Sequence, residues 1–318
     1  MGNKKISVVI PVYNGAQFIE TAISSVVNQT YTNYEIIVVN DGSVDSTREI
    51  VDKIALKNEK IKLINKENAG VSVARNIGMR ESTGEYLTFL DADDKLECTA
   101  LELMLKCIVS YDADICVAKI LPNISDDYTC LYTYEECIKL CIEDNPLIYA
   151  CHGKLYRTQS LKEKNIEFPV GVQAHEDSYF VFNCFYNGLS MAWLNHELYL
   201  YNTELTNSLS RSSFSEKRFS IIDLAEKKRT LIKQKFPQYD SIVDNILIKA
   251  HMAFLGCFDI PSKYKHKEKT SLKYICIHKK IFKPATRWDE KLFFIITHHL
   301  YGICKFIIKT KRTFKNNQ

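Results

Sequence analysis

Two acidic clusters are the residues in this sequence best suited to chemistry, and the first is Asp91-Ala92-Asp93. It directly follows an apolar run over residues 86–90. Carboxylate oxygens are the ligands that Mg²⁺ and Mn²⁺ prefer, and such ions are often held by one or two carboxylates together with phosphate oxygens. An acidic pair can also simply end a strand and cap the next helix. The pair taken alone is therefore a weak indication of a metal site.

The second acidic cluster is Glu176-Asp177, which stands at the start of a segment with helical periodicity. Acidic side chains in the first turn of a helix complement the helix dipole, which would be a purely structural role. A carboxylate at this position could instead serve as a general base facing a ligand crevice. The residues of this cluster leave both interpretations open.

The elements that must position these clusters are apolar runs alternating with helical patterns over the first 120 residues. The apolar runs cover residues 6–12, 35–39, 62–64, 86–90 and 114–118. This alternation predicts βαβ units and an α/β fold with a mostly parallel sheet. Ligands of such sheets bind beyond the carboxyl ends of the strands. Polar residues follow the first four runs at those ends, namely Tyr13-Asn14, Asp41, Asn68 and Asp91-Ala92-Asp93.

The sequence also predicts a division into two parts. After residue 120 the pattern is mixed up to about residue 214, and it is helical from about 215 to 318. Residues 261–318 carry 15 Lys and Arg against 3 Asp and Glu, whereas residues 1–260 carry 27 against 35. We therefore expect an α/β domain over 1–214 and a basic helical C-terminal extension over 215–318.

Composition and missing motifs exclude several classes of protein. The chain of 318 residues is 46% hydrophobic and 25% charged, which is typical of globular proteins. It contains neither GxGxxG nor GxxxxGK[ST], so dinucleotide-binding Rossmann and P-loop chemistry lack support. No nucleic-acid motif is present. The eight histidines include no HExxH, and seven of them are interpreted as surface or core residues, namely His152, His196, His251, His266, His278, His298 and His299.

The cysteines and the N-terminus bear on localisation. The eleven cysteines include no CxxC, and Met1 leads directly into an apolar strand without a secretory signal. We expect reduced thiols in a cytoplasmic protein.

Six motifs in register carry a resemblance to a known family. They are Val9-Ile-Pro-Val-Tyr-Asn14, Val39-Asn-Asp-Gly-Ser43, Glu67-Asn-Ala-Gly70, Ala74-Arg-Asn76, Phe89-Leu-Asp-Ala-Asp-Asp94 and Glu176-Asp177. Together they resemble family 2 glycosyltransferases of the GT-A fold. The resemblance covers about residues 6–210 and is densest over 6–95. It points most to the bacterial enzymes that build capsules, exopolysaccharides and lipopolysaccharide.

The resemblance implies an inverting enzyme that uses Mn²⁺ or Mg²⁺. It would move a sugar from a nucleotide donor, a UDP-sugar, to a hydroxyl of a saccharide or lipid-linked acceptor. Residues 1–214 would be the catalytic domain, with a donor half over about 1–120 and an acceptor half over 121–214. The implied donor-binding residues are Pro11, Val12, Tyr13, Asn14, Asp41, Asn68, Arg75, Asp91 and Ala92.

The resemblance also implies individual roles at these positions. Tyr13 would lie near the base, and Asp41 would accept a hydrogen bond from uracil. Asn68 and Arg75 would complete the nucleoside and phosphate side. The Asp91 carboxylate and the Ala92 backbone would hold the ribose.

Three further residues concern the reacting groups. Asp93 would bind the metal, and Asp177 would be the catalytic base. Many relatives carry Tyr-Arg where this chain has Tyr201-Asn202, so Arg211 is a candidate substitute for the diphosphate-binding cation.

Two other functions remain as alternatives. A nucleotidyltransferase would also bind a nucleotide on a parallel sheet, but it needs basic residues near the first strand, and residues 11–20 contain no Lys or Arg. A non-catalytic binding protein could keep the same fold, although the intact Asp91, Asp93 and Asp177 argue against it.

The C-terminal stretch of about 289–310 is apolar but interrupted by His298, His299 and Lys305. It falls short of the roughly 20 apolar residues that a spanning helix needs. It could lie as a basic amphipathic helix on an anionic membrane, at the inner face, or pack as a terminal helix against the core.

Overall fold

The structure is a computed structural model. It describes residues 3–119, 130–143, 145, 149–172, 174–202, 216, 219–256, 260–280, 282, 287–298 and 300–301. The chain divides into two compact units. The α/β unit comprises Met1–Ile138, Leu147–Gly171 and Glu176–Leu205, and the helical unit comprises Lys139–Pro146, Val172–His175 and Thr206–Gln318.

The α/β unit is built on a sheet of eight strands within the described residues. In chain order the strands of the unit are β1 Ile6–Val12, β2 Tyr34–Asp41, β3 Ile61–Lys66, β4 Tyr86–Phe89, β5 Lys95–Leu96, β6 Ile115–Lys119, β7 Cys130–Tyr132, β8 Lys154–Arg157, β9 Met191–Glu197 and β10 Tyr199–Leu200. The large sheet has the order β3-β2-β1-β4-β8-β6-β9-β7, and β5 pairs with β10 in a separate two-stranded sheet. Strands β3, β2, β1 and β4 are parallel neighbours, so the prediction of a mostly parallel sheet in an α/β fold is confirmed.

Two strands of the described sheet run antiparallel to the others: β7, which pairs with β9 at the edge of the sheet, and β8. β8 pairs antiparallel with both β4 and β6, and so inserts between the two halves of the sheet. The four residues of β8 are too few and too polar to be recognised in the sequence as an apolar strand. This insertion places the residues before β8 beside the carboxyl end of β4.

The helices of the described chain are α1 Ile19–Val27, α2 Thr47–Ala55, α3 Val71–Glu81, α4 Ala100–Ser110, α5 Tyr134–Glu143, α6 Thr158–Glu163, α7 Glu176–Tyr186, α8 Phe219–Lys235, α9 Asn245–Leu255, α10 Lys265–His278 and α11 Arg287–Thr297. Helix α3 packs closely on β1. A Cβ at Gly78 would lie 2.3 Å from Cγ1 of Val9, so glycine is required at this crossing. The close approach sets Arg75, which is on the same helix, beside the end of β4.

The helical unit has its own apolar core. Ile248 and Leu255 of α9, Ile275 of α10, and Leu292 and Ile296 of α11 are buried in one cluster. The Tyr301 hydroxyl joins it and donates to the backbone oxygen of Leu255 at 2.8 Å. One face of α11 therefore packs inside this unit, while residues 302–318 lie outside the described residues. None of the helices that the structure describes is long and apolar enough to cross a bilayer.

Candidate active site

The loops after β1 and β2 are tied together by Asn14. Its backbone N–H donates to the Ser43 hydroxyl at 2.9 Å, and its side-chain oxygen accepts from the Val44 N–H at 2.9 Å. The φ of Asn14 is +51°, a left-handed conformation that asparagine tolerates better than most residues. Asn14, predicted from the sequence to bind the sugar donor, thus holds together the two loops at the edge of the sheet where parallel strands end.

Asp41 fixes the loop after β3. The residue is 4% exposed, and its two carboxylate oxygens accept from the backbone N–H groups of Ala69 and Gly70, both at 2.9 Å. Lys66 donates to the same carboxylate. Gly42 has a φ of +75°, and a Cβ there would lie 2.6 Å from the Asn68 nitrogen. Glycine at this point allows the Asn68 loop to approach, and it leaves the Asn68 side chain exposed.

Arg75 brings the two acidic clusters together. Its Nη2 donates to Oδ1 of Asp91 at 3.0 Å, and its Nη1 donates to Oε1 of Glu176 at 3.1 Å. The arginine is 5% exposed. The end of β4 and the start of α7 are thereby joined, which puts Asp177 in the same neighbourhood as Asp91. Both terminal nitrogens of Arg75 are engaged by carboxylates, and its predicted contact with the donor stays a prediction.

The charges of the site shift the pKa values of its acids in opposite directions. Burial alone would raise the pKa of Asp91, but the Arg75 guanidinium and His152 outweigh it and hold that pKa well below its usual range. Burial raises the pKa of Asp93, and the negative charge of Asp91 adds to the rise. Burial and the charge of Asp177 raise the pKa of Glu176. Asp91 is therefore the most firmly ionised of these carboxylates.

Asp94, the last acid of the cluster, is an anchor within the fold. It is 6% exposed, its Oδ2 accepts from the Tyr199 hydroxyl at 2.7 Å, and its Oδ1 accepts from the Asn202 N–H at 2.8 Å. These bonds hold the Tyr201-Asn202 segment against the end of β4. Each oxygen of Asp94 thus accepts from a fixed donor, whereas no side chain in the described part of the chain donates to Asp93.

His152 is a site residue that the sequence did not reveal. It is 7% exposed, as a core residue would be, but its Nδ1 lies 3.4 Å from Oδ2 of Asp91. Its Nε2 lies 2.5 Å from the Tyr201 hydroxyl, and its ring stacks on Tyr199. No spacing pattern could have signalled this, because Asp91 and His152 are far apart in the chain and only the insertion of β8 brings them together.

The remaining predicted residues take different positions. Pro11 and Val12 are buried in β1, whereas the Tyr13 ring is 54% exposed just beyond the strand. Ala92 is partly buried between Asp91 and Asp93. Arg211 lies outside the described residues.

Asp93, which the sequence predicts as the metal ligand, differs from Asp91 and Asp94 in the pairing of its carboxylate. Within the described ranges, no side chain donates a hydrogen bond to it, and burial with the charge of Asp91 disfavours its ionised form in the absence of a cation. No group of three His, Cys, Asp or Glu side chains in the described part of the chain could by itself hold a metal. One carboxylate with ligand oxygens suits Mg²⁺ or Mn²⁺, which often bind in this way.

Asp177 stands in the first turn of α7. Its Oδ1 accepts from the Ser178 backbone N–H at 2.7 Å, and its charge contributes to the raised pKa of Arg75, against which burial acts. Within the described residues no side chain donates to its other carboxylate oxygen, which leaves that oxygen available as a hydrogen-bond acceptor. The base predicted from the sequence lies on the helix that Arg75 ties to the strand-end acids.

A comparison with protein families decides the assignment of the chain. The model described as "Glycosyl transferase family 2" matches residues 7–172, which is more than half of the chain. The chain belongs to glycosyl transferase family 2. This family 2 member is 32% identical over 244 residues to Glycosyltransferase GlyA of Streptococcus pneumoniae serotype 4 (strain ATCC BAA-334 / TIGR4). That match covers 72% of the chain and 34% of GlyA, so the chain spans about a third of that relative's length.

Solved structures share the fold of this family 2 chain. The crystal structure of S. aureus TarS 1-349 in complex with UDP-GlcNAc superposes with a TM-score of 0.69 at 19% identity, covering 97% of this chain and 92% of that one. The mannosyltransferase PcManGT from Pyrobaculum calidifontis, in complex with GDP-Man and Mn²⁺, gives 0.57 at 15% identity, covering 96% and 86%. The predicted family and GT-A fold are confirmed.

Proposed function

We propose that this protein is an inverting, metal-dependent glycosyltransferase. It moves a sugar from a UDP-sugar to a hydroxyl of a saccharide or lipid-linked acceptor in cell-surface polysaccharide synthesis. The observation that carries the proposal is the Arg75 bridge, which joins the carboxylate of Asp91 to Glu176, the neighbour of Asp177. The bridge sets a donor-binding acid and a candidate base at one edge of the sheet.

The donor occupies the carboxyl ends of β1, β2 and β4. The exposed Tyr13 ring stacks on the base, and Asp41 accepts a hydrogen bond from the uracil imide N–H with a lone pair that its loop contacts leave over. Asp91 accepts hydrogen bonds from the ribose hydroxyls, since its low pKa keeps it ionised. Asn68 and the Ala92 backbone complete the nucleoside side.

Asp93 holds the divalent ion. When bound, Mn²⁺ or Mg²⁺ stabilises negative charge on the leaving diphosphate as a Lewis acid. Asp93 would hold the ion as its protein ligand, together with oxygens of the donor phosphates. The raised pKa of Asp93 reflects a carboxylate whose charge the protein itself leaves uncompensated.

Asp177 takes the proton of the acceptor hydroxyl. A sugar hydroxyl is a poor nucleophile until this proton leaves, and a carboxylate within hydrogen-bond reach can take the proton as the new bond forms. Attack on the face opposite the diphosphate inverts the anomeric centre. Separate acids thus serve the leaving group and the nucleophile.

The comparisons support the nucleotide-sugar donor without identifying it. TarS is named a poly(ribitol-phosphate) beta-N-acetylglucosaminyltransferase and was solved with UDP-GlcNAc, whereas PcManGT was solved with GDP-Man. A nucleotidyltransferase is disfavoured because residues 11–20, which run from the end of β1 into α1, contain no Lys or Arg. A non-catalytic role predicts nucleotide binding without turnover.

The deciding experiment is calorimetric titration with UDP, GDP and CDP in the presence of Mn²⁺, followed by hydrolysis assays on a panel of UDP-sugars. We expect UDP to bind at least tenfold more tightly than the other two, and EDTA to abolish hydrolysis. Tighter binding of GDP would refute the UDP donor. Tight UDP binding with no turnover on any sugar or acceptor would favour the non-catalytic alternative.

We also propose that residues 1–214 act as the catalytic domain and 215–318 as a basic extension that places a cytoplasmic enzyme at the inner membrane face. Residues 302–318 carry five Lys and Arg and no acid. Each such charge near an anionic surface contributes about 1 kcal/mol, and salt screens this attraction.

Vesicle sedimentation tests the membrane proposal. Because α11 and Tyr301 are part of the helical core, truncation should begin after Tyr301 rather than before α11. The truncated chain should lose most binding to anionic vesicles and keep hydrolysis of the donor. Equal binding of the full chain to neutral and anionic vesicles would overturn the electrostatic proposal.

A further inference from the structure

The side chain of His152 has a buried nitrogen whose position calls for a physical reason. Its Nδ1 has no hydrogen-bond partner by strict geometry within the described structure, and the nearest acceptor is Oδ2 of Asp91 at 3.4 Å. A buried polar nitrogen without a partner costs free energy, and such groups are rare in folded proteins. Asp91 is therefore the natural hydrogen-bond acceptor for this nitrogen.

The partner of the other ring nitrogen determines which nitrogen carries the proton. Nε2 lies 2.5 Å from the Tyr201 hydroxyl oxygen. Burial raises the pKa of Tyr201, with the charges of Asp94 and Asp91 adding to the rise, so the hydroxyl keeps its proton and can donate it. A neutral imidazole has one donor and one acceptor nitrogen. If Nε2 accepts from Tyr201, the proton stands on Nδ1 and is directed at Asp91.

The orientation of the His152 ring is fixed by its neighbours. It stacks on the Tyr199 ring with centroids 4.4 Å apart and an interplanar angle of 22°. The Tyr199 hydroxyl donates to Asp94 and accepts from the Asp91 N–H at 3.2 Å. Turning the imidazole would break this stack as well as the contact with Tyr201.

The two oxygens of Asp91 consequently face two different donors. Arg75 donates to Oδ1, and His152 faces Oδ2. A carboxylate held at one oxygen can turn about its Cβ–Cγ bond, whereas a donor at each oxygen fixes its plane. The lone pairs that these donors leave over then point in set directions toward a ligand.

We propose that His152 is a positioning residue, held by Tyr201 with its proton on Nδ1, that fixes the plane of the Asp91 carboxylate for a ribose hydroxyl of a nucleoside diphosphate. This inference rests on the proposed function, because it requires Asp91 to bind the ribose. It adds a residue pair, His152 and Tyr201, to which the family resemblance gave no role.

Three variants and one control separate positioning from general packing. His152→Leu removes both contacts, His152→Asn keeps a donor at the place of Nδ1, and Tyr201→Phe keeps the ring without its hydroxyl. The control is His251→Leu in the helical unit. His251 is also 7% exposed and contacts the Ser271 hydroxyl through Nδ1 at 3.0 Å, so its loss disturbs a core to a similar degree.

The measurement is the dissociation constant of UDP, 2′-deoxy-UDP and 3′-deoxy-UDP by calorimetry with Mn²⁺. In the unmodified protein, the analogue that lacks the hydroxyl bound by Asp91 should bind about tenfold more weakly than UDP, as expected for a hydrogen bond to a charged group. His152→Leu should weaken the binding of UDP about tenfold and leave the binding of that analogue unchanged. Tyr201→Phe should weaken UDP about threefold, and His152→Asn less than that.

The outcomes distinguish failure of the His152 proposal from failure of the proposed function on which it rests. If the unmodified protein does not bind UDP, or does not discriminate between UDP and the deoxy analogues, the proposed donor site fails and the inference with it. If discrimination is present and His152→Leu and Tyr201→Phe both retain it in full, the inference alone is overturned. An equal loss in His251→Leu would likewise overturn it. Should His152→Leu not fold, Tyr201→Phe and His152→Asn decide.

Discussion

The acids at the edge of the sheet fall into two groups that differ in whether fixed donors hydrogen-bond to their carboxylates. The paired acids, Asp41, Asp91 and Asp94, accept hydrogen bonds from fixed donors: the loop after β3, Arg75 of α3 and Tyr199 of β10, respectively. The open acids, Asp93 and Asp177, receive no side-chain donor in the described part of the chain. Pairing commits part of the acceptor capacity of a carboxylate to the fold and fixes its orientation, whereas an open carboxylate keeps most of that capacity for a ligand.

The contrast is sharpest between Asp91 and Asp93, which are two residues apart. Arg75 and His152 compensate Asp91, so its charge stabilises the folded state, while burial makes the charge of Asp93 a cost to the folded state. Such uncompensated groups are typical of functional sites, where activity is maintained at the expense of stability. The same substitution should therefore lower the stability of the folded state at Asp91 and leave it unchanged or raise it at Asp93.

The largest expected effect is on turnover in Asp93→Asn. Removing the fixed ligand of the divalent ion should lower donor hydrolysis about 10³-fold, which corresponds to about 4 kcal/mol of transition-state stabilisation. The rate is measured with saturating UDP-sugar and Mn²⁺. Asp112→Asn is the matched control, because Asp112 is an exposed acid paired with Arg157, and it should retain full activity. Undiminished turnover in Asp93→Asn would place Asp93 outside the metal site.

The second effect separates the two open acids from one another. Asp177→Asn keeps the shape of the side chain and removes the proton acceptor, so transfer to an acceptor should fall about 10²-fold or more. The dissociation constant of UDP should change little, because Asp177 serves the acceptor side. A variant that loses UDP affinity and transfers normally at saturation would make Asp177 a binding residue instead.

The third effect is on stability, where the paired acid should matter more than the open one. In metal-free buffer with EDTA, Asp91→Asn should lower the free energy of unfolding by about 2 kcal/mol, the scale for a hydrogen bond to a charged group. Asp93→Asn should leave it unchanged or raise it. Urea denaturation of both variants measures the difference, and equal losses would contradict the division into paired and open acids.

The stability contributions of Asp91 and Asp93 should also change in opposite directions with pH. The folded-state pKa of Asp91 is depressed, so its contribution to stability is present above the unfolded pKa of about 4 and is lost as pH falls through the folded value. The stability gap between the unmodified protein and Asp91→Asn should therefore shrink on acidification below about pH 4. The folded-state pKa of Asp93 is raised, so its ionised carboxylate lowers the stability of the unmodified protein at neutral pH, and this loss should disappear on acidification. The stability of the unmodified protein relative to Asp93→Asn should therefore rise as pH falls, whereas its stability relative to Asp91→Asn should fall.

Much of this edge could be predicted from the sequence, because it follows from local patterns. The runs that become β1, β2 and β4 are buried except at Glu35, and polar residues must come where such strands end. Since parallel neighbours end at the same edge, Asp41 and Asp91 could be placed there without coordinates. Asp177 followed from the resemblance and from its place at the start of a helix.

The pairing of these acids could not be predicted, because it depends on contacts between distant residues. Asp94 bonds with Tyr199, and Asp91 faces His152, only after β8 and β10 have taken their places. β8 is a short antiparallel strand with no periodicity of its own, and β10 has two residues. The sequence accordingly indicates which acids reach the edge but not which of them the fold has already engaged.

The smallest expected effect concerns Asp41, whose pairing and proposed recognition of uracil make different demands. As a support for the Asn68 loop, Asp41 would affect every nucleotide equally. As an acceptor for the uracil imide, it would affect UDP alone. Its oxygens already accept from two backbone N–H groups and Lys66, but each carboxylate oxygen has two lone pairs, so both roles can coexist. We expect Asp41→Ala to weaken UDP about tenfold and GDP about threefold, and calorimetry with both diphosphates measures the ratio. A parallel loss for both nucleotides would assign Asp41 to loop support alone, because a residue that holds only the loop cannot distinguish one base from another.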